Sequence, residues 1–357
     1  METIRTRSFA RAGLLGNPSD GYFGKTLSFT FTQFGVELVM SESSRIRFQQ
    51  GEVDDATFAS MEEMSRNLRL YGYYGGIRLL KATAKRFFDY CQERGLALPK
   101  RNFSVEYKIN IPRLVGLSGS SAICSAMLRA LMKFYEVEIP FEMQPTICLE
   151  AERDELGINC GFQDRVIQIY NGLVFMDFEK SFVESHNHGK YEQLYPSSTF
   201  NLQPSTFNLY IAYDAKRAEE SGKAHKRVKR LFEEKNADVV TAMSEFADIA
   251  QRGRDAIIAG RIGDLPSLIN ANFDLRDKIF NVAEENRRMV MTARKCGASA
   301  KFAGSGGAIV GTYADEAQFR QLKADLAAIG TEVLIPTIAT AADETAEIAS
   351  FGNWRNS

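Results

Sequence analysis

The sequence predicts an α+β fold in two domains, and three observations lead there. The chain has 357 residues, about twice the length of a common domain. Period-two alternation, the mark of a half-buried strand, recurs in both halves. Longer segments with apolar residues at helical spacing separate these strands. Hydrophobic residues make up 45% of the chain and charged residues 25%, enough apolar material for a sizeable core.

The elements follow in order. "KTLSFTFTQFGVELVM", Lys25 to Met40, is rich in Phe, Thr and Val and reads as a strand. From Tyr73 the spacing of Ile77, Leu80, Ala84, Phe87, Phe88 and Cys91 predicts a helix, with Gly95 as its C-cap. "NFSVEYKI" alternates Phe103, Val105, Tyr107 and Ile109 and reads as a strand with one buried face. A loop from Asn110 to Gly119 leads into a helix whose Ile123, Met127, Ala130, Leu131 and Phe134 form one core-facing stripe. Helices are expected over Thr146 to Glu155 and after Gln163, and a strand at Leu173 to Phe178. Phe182 to Thr206 is polar, holds two prolines and has no clear period. The domain boundary is placed at its end, giving domains 1–205 and 206–357. "FNLYIAY" opens the second domain as a strand. Helical patterns fill Ala224 to Gly260 and Ser267 to Cys296, and the strands "GAIVGTY" and "EVLIP" flank a helix near Phe319 to Ile329.

Composition excludes several function classes. With 44 basic and 45 acidic residues the net charge is −1, which argues against a broad nucleic-acid or membrane-surface role. No apolar run approaches the roughly 18 residues of a membrane span. No apolar stretch follows the basic N-terminus, so no signal peptide is expected. The five cysteines are scattered and form no CxxC pair, which fits reduced thiols in a cytoplasmic protein. His186 and His188 have no third metal ligand near them at metal-site spacing.

Three glycine-rich segments carry the chemistry. The central one, "VGLSGSSAICSAMLRAL", loads glycine and serine onto the start of a helix. Such residues turn chains and cap helices. They also let phosphate oxygens approach the free N–H groups and positive dipole end of the first helical turn. The others are "ARAGLLGNPSDGYFGKT", Ala10 to Thr26, and "KFAGSGGAIV", Lys301 to Val310. Gly24-Lys25-Thr26 imitates the end of a Walker A loop, but Ser19 stands where that motif needs its first glycine. A strand also follows where a P-loop needs a helix.

Together the three segments resemble the signature motifs of the GHMP kinase superfamily. Pro112 followed by Gly116-Leu117-Ser118-Gly119-Ser120-Ser121-Ala122 is similar to the superfamily's P-x-x-x-G-L-G-S-S-A, with one residue more in the loop. "RSFARAGLLGNPSDGYFGKT", "GYYGGIRLL", "LGINCGFQDRV", "NFDLR" and "KFAGSGGA" extend the likeness, in order and over nearly the whole chain, to the glucuronokinases.

The resemblance implies a ribosomal-protein-like N-terminal domain, a ferredoxin-like C-terminal domain, and ATP with Mg²⁺ and a sugar acid bound between them. It implies that Pro112 and Gly116 to Ala122 bind ATP, with Gly304, Ser305 and Gly306 approaching the phosphates from the other domain. Asp164 aligns with the proposed catalytic base and Arg11 with the arginine beside it. Ser121 aligns with the serine that contacts Mg²⁺. The carboxylate for the metal is Glu152, with Glu155 one helical turn away as the alternative. Asp20 aligns with the aspartate that holds sugar hydroxyls in galactokinase. Asn17 and Pro18 stand at the two preceding acid/His positions, which weakens a galactose reading and leaves Asn17 as a neutral hydrogen-bonder to the sugar. Asn17-Pro18-Ser19-Asp20 is also a plain turn sequence. A sugar acid needs a cation for its carboxylate, and Lys25, Lys223 and Arg276 are the candidates. The implied reaction is ATP-dependent phosphorylation of the anomeric hydroxyl of D-glucuronate. The alternatives are a heptose, fucose, galactose or mevalonate-type substrate, and a non-catalytic ligand sensor on the same fold.

Overall fold

The structure, a computed structural model, describes residues 3–49, 76–199, 202–214, 222–280, 282 and 284–345. The start of the helix expected from Tyr73 lies outside them.

Two sheets organise the chain. The first contains β1 (Thr3–Leu15), β2 (Lys25–Ser43), β3 (Arg47–Phe48), β4 (Asn102–Ile109), β5 (Leu173–Asp177) and β6 (Lys190–Tyr195). β2 is its spine. β1 runs antiparallel along one edge, while β4 and β5 share the other, β5 on Lys25–Phe29 and β4 on Val36–Ser43. Helix α1 (Gly76–Glu93) ends beside Gly95, whose φ of +66° suits its turn. Leu80, Phe87 and Cys91 are buried as expected, but Phe88 lies one step past the stripe and is exposed. Helix α2 (Gly119–Tyr135) buries all five residues of its predicted stripe. Helices α3 (Gln144–Glu150), α4 (Gln163–Tyr170) and α5 (Lys180–His186) complete this part, and a π-turn over Ala151–Glu155 continues α3.

The second sheet contains β7 (Leu209–Tyr213), β8 (Lys301–Phe302), β9 (Ala308–Thr312) and β10 (Glu332–Leu334), in the order β10-β7-β9-β8 and antiparallel throughout. Helices α6 (Gly222–Glu233), α7 (Ala237–Ile258), α8 (Leu265–Phe280) and α9 (Glu284–Lys295) lie between β7 and β8 in sequence, and α10 (Glu316–Ala327) lies between β9 and β10. That order is the ferredoxin-like arrangement, with three further helices in its first crossover. The chain then returns to the first sheet. Ala339 donates its N–H to Thr30 O at 2.9 Å and accepts from Gly172 at 2.7 Å, and Glu344 of α11 (Ala341–Thr345) pairs with Arg129.

Several elements depart from the sequence reading. β1 is buried on both faces over most of its length, so it shows no alternation. β6 and α5 occupy the segment read as aperiodic. β6 pairs only with β5 and fully buries only Leu194, so its polar sequence is that of an edge strand. The helical run from Ala224 to Gly260 breaks after Glu233, where the Asn236 side chain accepts from Val239 N–H and caps α7. Ser267–Cys296 breaks likewise between Phe280 and Glu284.

Candidate active site

The site is built on the outer edge of β1. Along this edge Arg11 N–H reaches Leu117 O at 3.4 Å and Gly13 N–H donates to Ala303 O at 2.7 Å. The three glycine segments, far apart in sequence, therefore meet on one strand. Gly116 has a φ of +75°, and a Cβ there would lie 2.7 Å from Gly306 O. A Cβ on Gly304 would collide with Gly116 O. The two loops pack backbone to backbone, and only glycine permits it.

Arg11 joins all the pieces. Its Nε donates to Asp164 Oδ1 at 2.7 Å and its Nη2 to Asp164 Oδ2 at 2.9 Å. Its Nη1 donates to Gly116 O at 2.6 Å and Ala303 O at 3.0 Å. A planar fork with donors in fixed directions suits this task, and a lysine could not do it. Asp164 takes a third donor, Ser118 Oγ, at 2.6 Å from Oδ2. Burial works against its charge, but Arg11, Arg165 and the Ser118 hydroxyl outweigh it and hold the carboxyl at about 2.

A cavity of about 400 Å³ opens in front of this cluster. Its polar side is Arg11, Gly116, Ser118 to Ser120, Asp164 and Ser305; its apolar side includes Leu79, Tyr107, Ile109, Ile111 and Pro112. One half suits a charged group and the other a flat apolar one. The Ser118 side chain at the N-cap makes no capping bond to α2, which leaves first-turn N–H groups for a ligand. Leu117 and Ala122 are buried in the core and can offer a ligand only backbone. Cys160 also lines the cavity, but burial pushes its thiol up to about 11, which leaves it a poor nucleophile.

Glu152 lies in the π-turn with no exposure. Its Oε2 takes Nε and Nη2 of Arg165, while its Oε1 is buried with no hydrogen-bond partner among the described residues. Ser121 Oγ is buried and reaches Ser118 O at 3.4 Å. Glu155 faces the other way and pairs with Lys85 at 2.7 Å. Asp20 sits behind Gly161, where its Oδ2 accepts from Gln163 N–H at 3.2 Å. Burial and the neighbouring Asp164 charge push its carboxyl up to about 6, against the Gln163 hydrogen bond and Arg11.

Three of the other candidate residues, Lys25, Arg276 and Asn17, are engaged with protein groups. Lys25 opens β2, where its Nζ meets Gln251 Oε1 at 2.9 Å and Asp177 Oδ2 at 3.4 Å. Arg276, on α8, holds the third glycine loop through Gly304 O at 2.8 Å and Ser305 O at 3.0 Å. Asn17 is buried and its Oδ1 accepts from Lys301 Nζ. Lys223 falls in α6, and its side chain lies outside the described residues. Sequence reasoning passed over Lys301. Its ammonium is buried on Gly13 O, Asn17 Oδ1 and Phe302 O, tying the first segment to the third. The available signal was a lysine at the head of an otherwise apolar strand beside a glycine loop.

Residues 78–172 match the family of GHMP kinase N-terminal domains. The chain is 43% identical over 311 residues to a probable glucuronokinase 2 of Arabidopsis thaliana, covering 85% of this chain and 82% of that protein. It is 41% identical to glucuronokinase 1 of the same plant, covering 86% and 84%. The fold is similar to that of Lactococcus lactis galactokinase, solved with galactose, at a TM-score of 0.73 and 16% identity over 95% of this chain and 94% of that one. Glycine loops meeting on β1, the Arg11–Asp164 pair at the cavity and this extended identity agree: the chain belongs to the glucuronokinase family of GHMP kinases and is a sugar kinase.

Proposed function

We propose that the protein transfers the γ-phosphoryl group of ATP to the anomeric hydroxyl of D-glucuronate, giving glucuronate 1-phosphate and ADP. The observation that carries this reading is Asp164, held by Arg11 and Ser118 at the cavity rim beside the glycine loop. Identity above 40% with glucuronokinases over most of the chain supports the sugar acid. The apolar side of the cavity takes the base, and Gly116 to Ser121 with Ser305 receive the phosphates.

Phosphoryl transfer depends mainly on positioning and on stabilising charge. Arg11 orients Asp164, which points a carboxylate oxygen at the sugar hydroxyl. At about 2 this carboxylate is a weak base, so it takes the proton late, when bonding to phosphorus has made the hydroxyl acidic. Asp20 accepts hydroxyls of the sugar ring. The unpartnered Glu152 Oε1 and the weakly held Ser121 hydroxyl fit Mg²⁺, which takes hard oxygen ligands and draws the rest from phosphate and water. Bound there, the ion would neutralise phosphate charge. The five free cysteines support a reducing, cytoplasmic setting. The change of sheet between β6 and β7 supports a division near residue 205.

The test is ATP consumption with D-glucuronate, glucose, galactose, a heptose and mevalonate, with the product identified by phosphorus NMR. Glucuronate should give by far the highest kcat/KM. Equal use of glucose or galactose would replace the acid-specific reading with a general sugar kinase. No turnover on any of them would favour a sensor.

Asp20 adds a pH signature. Its carboxylate loses its charge below about pH 6, whereas Asp164 stays ionised there. The kcat/KM for the sugar should therefore fall as pH drops through about 6, since this ratio reports free-enzyme groups. Asp20→Asn should be weaker throughout and lack that limb. A limb that persists in the variant would assign it to another group.

A further inference from the structure

Ser118 stands where the phosphate loop is one residue longer than the family pattern, and its conformation is unusual. Its φ of 63° and ψ of 49° are left-handed, a region non-glycine residues enter at a cost. It precedes α2, yet its hydroxyl does not cap that helix. The hydroxyl turns away and donates to Asp164 Oδ2 at 2.6 Å. Its carbonyl accepts from Gln168 Nε2 at 2.9 Å. Asp164 and Gln168 are one turn apart on α4. One loop residue is thus clamped at two points to the helix that carries the carboxylate.

We propose that Ser118 is a positioning residue for phosphoryl transfer: it holds the phosphate loop in register with Asp164 and selects Oδ1 as the oxygen that receives the sugar's proton. The inference rests on the reading of Asp164 given above. A carboxylate oxygen has two lone pairs. On Oδ2 they are taken by Arg11 Nη2 and Ser118 Oγ, while among the described residues Oδ1 accepts only from Arg11 Nε. The hydroxyl oxygen bonds to the γ-phosphorus, the bond to the β–γ bridging oxygen breaks and leaves with ADP, and the hydroxyl proton passes to Oδ1. Arg11 alone fixes the plane of the carboxylate. Arg11 reaches the phosphate loop at the Gly116 carbonyl, and Ser118 ties the carboxylate to that loop at a second point, so that acceptor and phosphorus keep their alignment.

The two properties of Ser118 can be separated by substitution. Ser118→Gly removes the hydroxyl and relieves the left-handed backbone. Ser118→Thr keeps a hydroxyl but places a β-branched residue in that backbone. The glycine variant should be at least as thermostable as wild type, bind ADP within about twofold of wild type, and lose roughly ten- to a hundredfold in kcat, the scale of a small misalignment of reacting groups. The threonine variant should melt lower and keep kcat within about threefold of wild type. Stability and turnover then move in opposite directions, which a merely structural residue would not produce. Wild-type kcat in Ser118→Gly overturns the inference. So does a tenfold weaker ADP affinity at unchanged kcat, which would make the Ser118 hydroxyl, rather than its backbone, the phosphate ligand. Asp164→Asn is measured alongside: if it turns over normally, the reading of Asp164 falls, whereas an inactive Asp164→Asn beside a normal Ser118→Gly removes this inference alone.

Discussion

Asp164→Asn is expected to lower kcat by about a hundredfold or more while leaving nucleotide affinity within about twofold, because a positioned proton acceptor is worth roughly 10²- to 10⁴-fold. The substitution keeps the shape and removes the charge. It also places an amide NH₂ among Arg11 Nε, Arg11 Nη2 and Ser118 Oγ, all of which donate. Arg11 retains Gly116 O and Ala303 O, so the two loops stay stapled and the nucleotide side of the cavity keeps its form. The effect should therefore fall on kcat rather than on KM for ATP, the pattern of an interaction that matters in the transition state. Steady-state kinetics with a direct ADP-binding measurement checks this. An Asn variant with near-normal turnover would remove Asp164 from the mechanism and leave Arg11 as a structural staple.

Glu152→Gln and Glu155→Gln should differ sharply, although the two residues are a helical turn apart in sequence. Glu152 and Arg165 form an ion pair with almost no exposure. Removing one partner of a buried pair leaves the other charge uncompensated, at a cost of about 3–5 kcal/mol. Glu152→Gln should thus lower the melting temperature markedly. In the protein that remains folded, it should also raise the Mg²⁺ concentration needed for half-maximal activity by about tenfold, the scale of one lost charge-assisted contact. Glu155→Gln gives up a pair with Lys85, whose side chain is 58% exposed, and such a contact is worth at most about 1 kcal/mol. Thermal melts and Mg²⁺ titrations of both variants test the assignment. A normal Mg²⁺ requirement in Glu152→Gln with an altered one in Glu155→Gln would transfer the metal role to Glu155.

Local patterns were legible where they answer to local physics. The alternation in β4 and the apolar stripe of α2 record which side of each element faces the core. The glycines at 116 and 304 are legible as room for phosphate oxygens; that they also let the two loops pack backbone to backbone is visible only in the fold. β1 and β6 were hidden for opposite reasons. Burial on both faces erased the alternation of the first, and an edge position made the second polar.

For the site, the sequence by itself determined the chemical inventory: three glycine loops, an arginine, an acidic residue after "GFQ", a carboxylate near the end of a helix, and serines at a helix start. The tertiary structure decided which of these groups are left for a ligand and which are used up on one another. Lys25 and Arg276 are cations of the right type, but Lys25 is turned to Asp177 and Gln251, and Arg276 holds the carbonyls of Gly304 and Ser305. In the sequence Ser118 is legible only as part of the ATP loop, and the packing of α4 against that loop turns its hydroxyl toward Asp164. Arg11 and Asp164 bond across 153 residues of sequence, and Lys301 reaches Gly13 across 288. Period and turn chemistry extend over a few residues. A hydrogen bond between distant segments depends on how the sheets and helices between them pack, and no local pattern of residues encodes that.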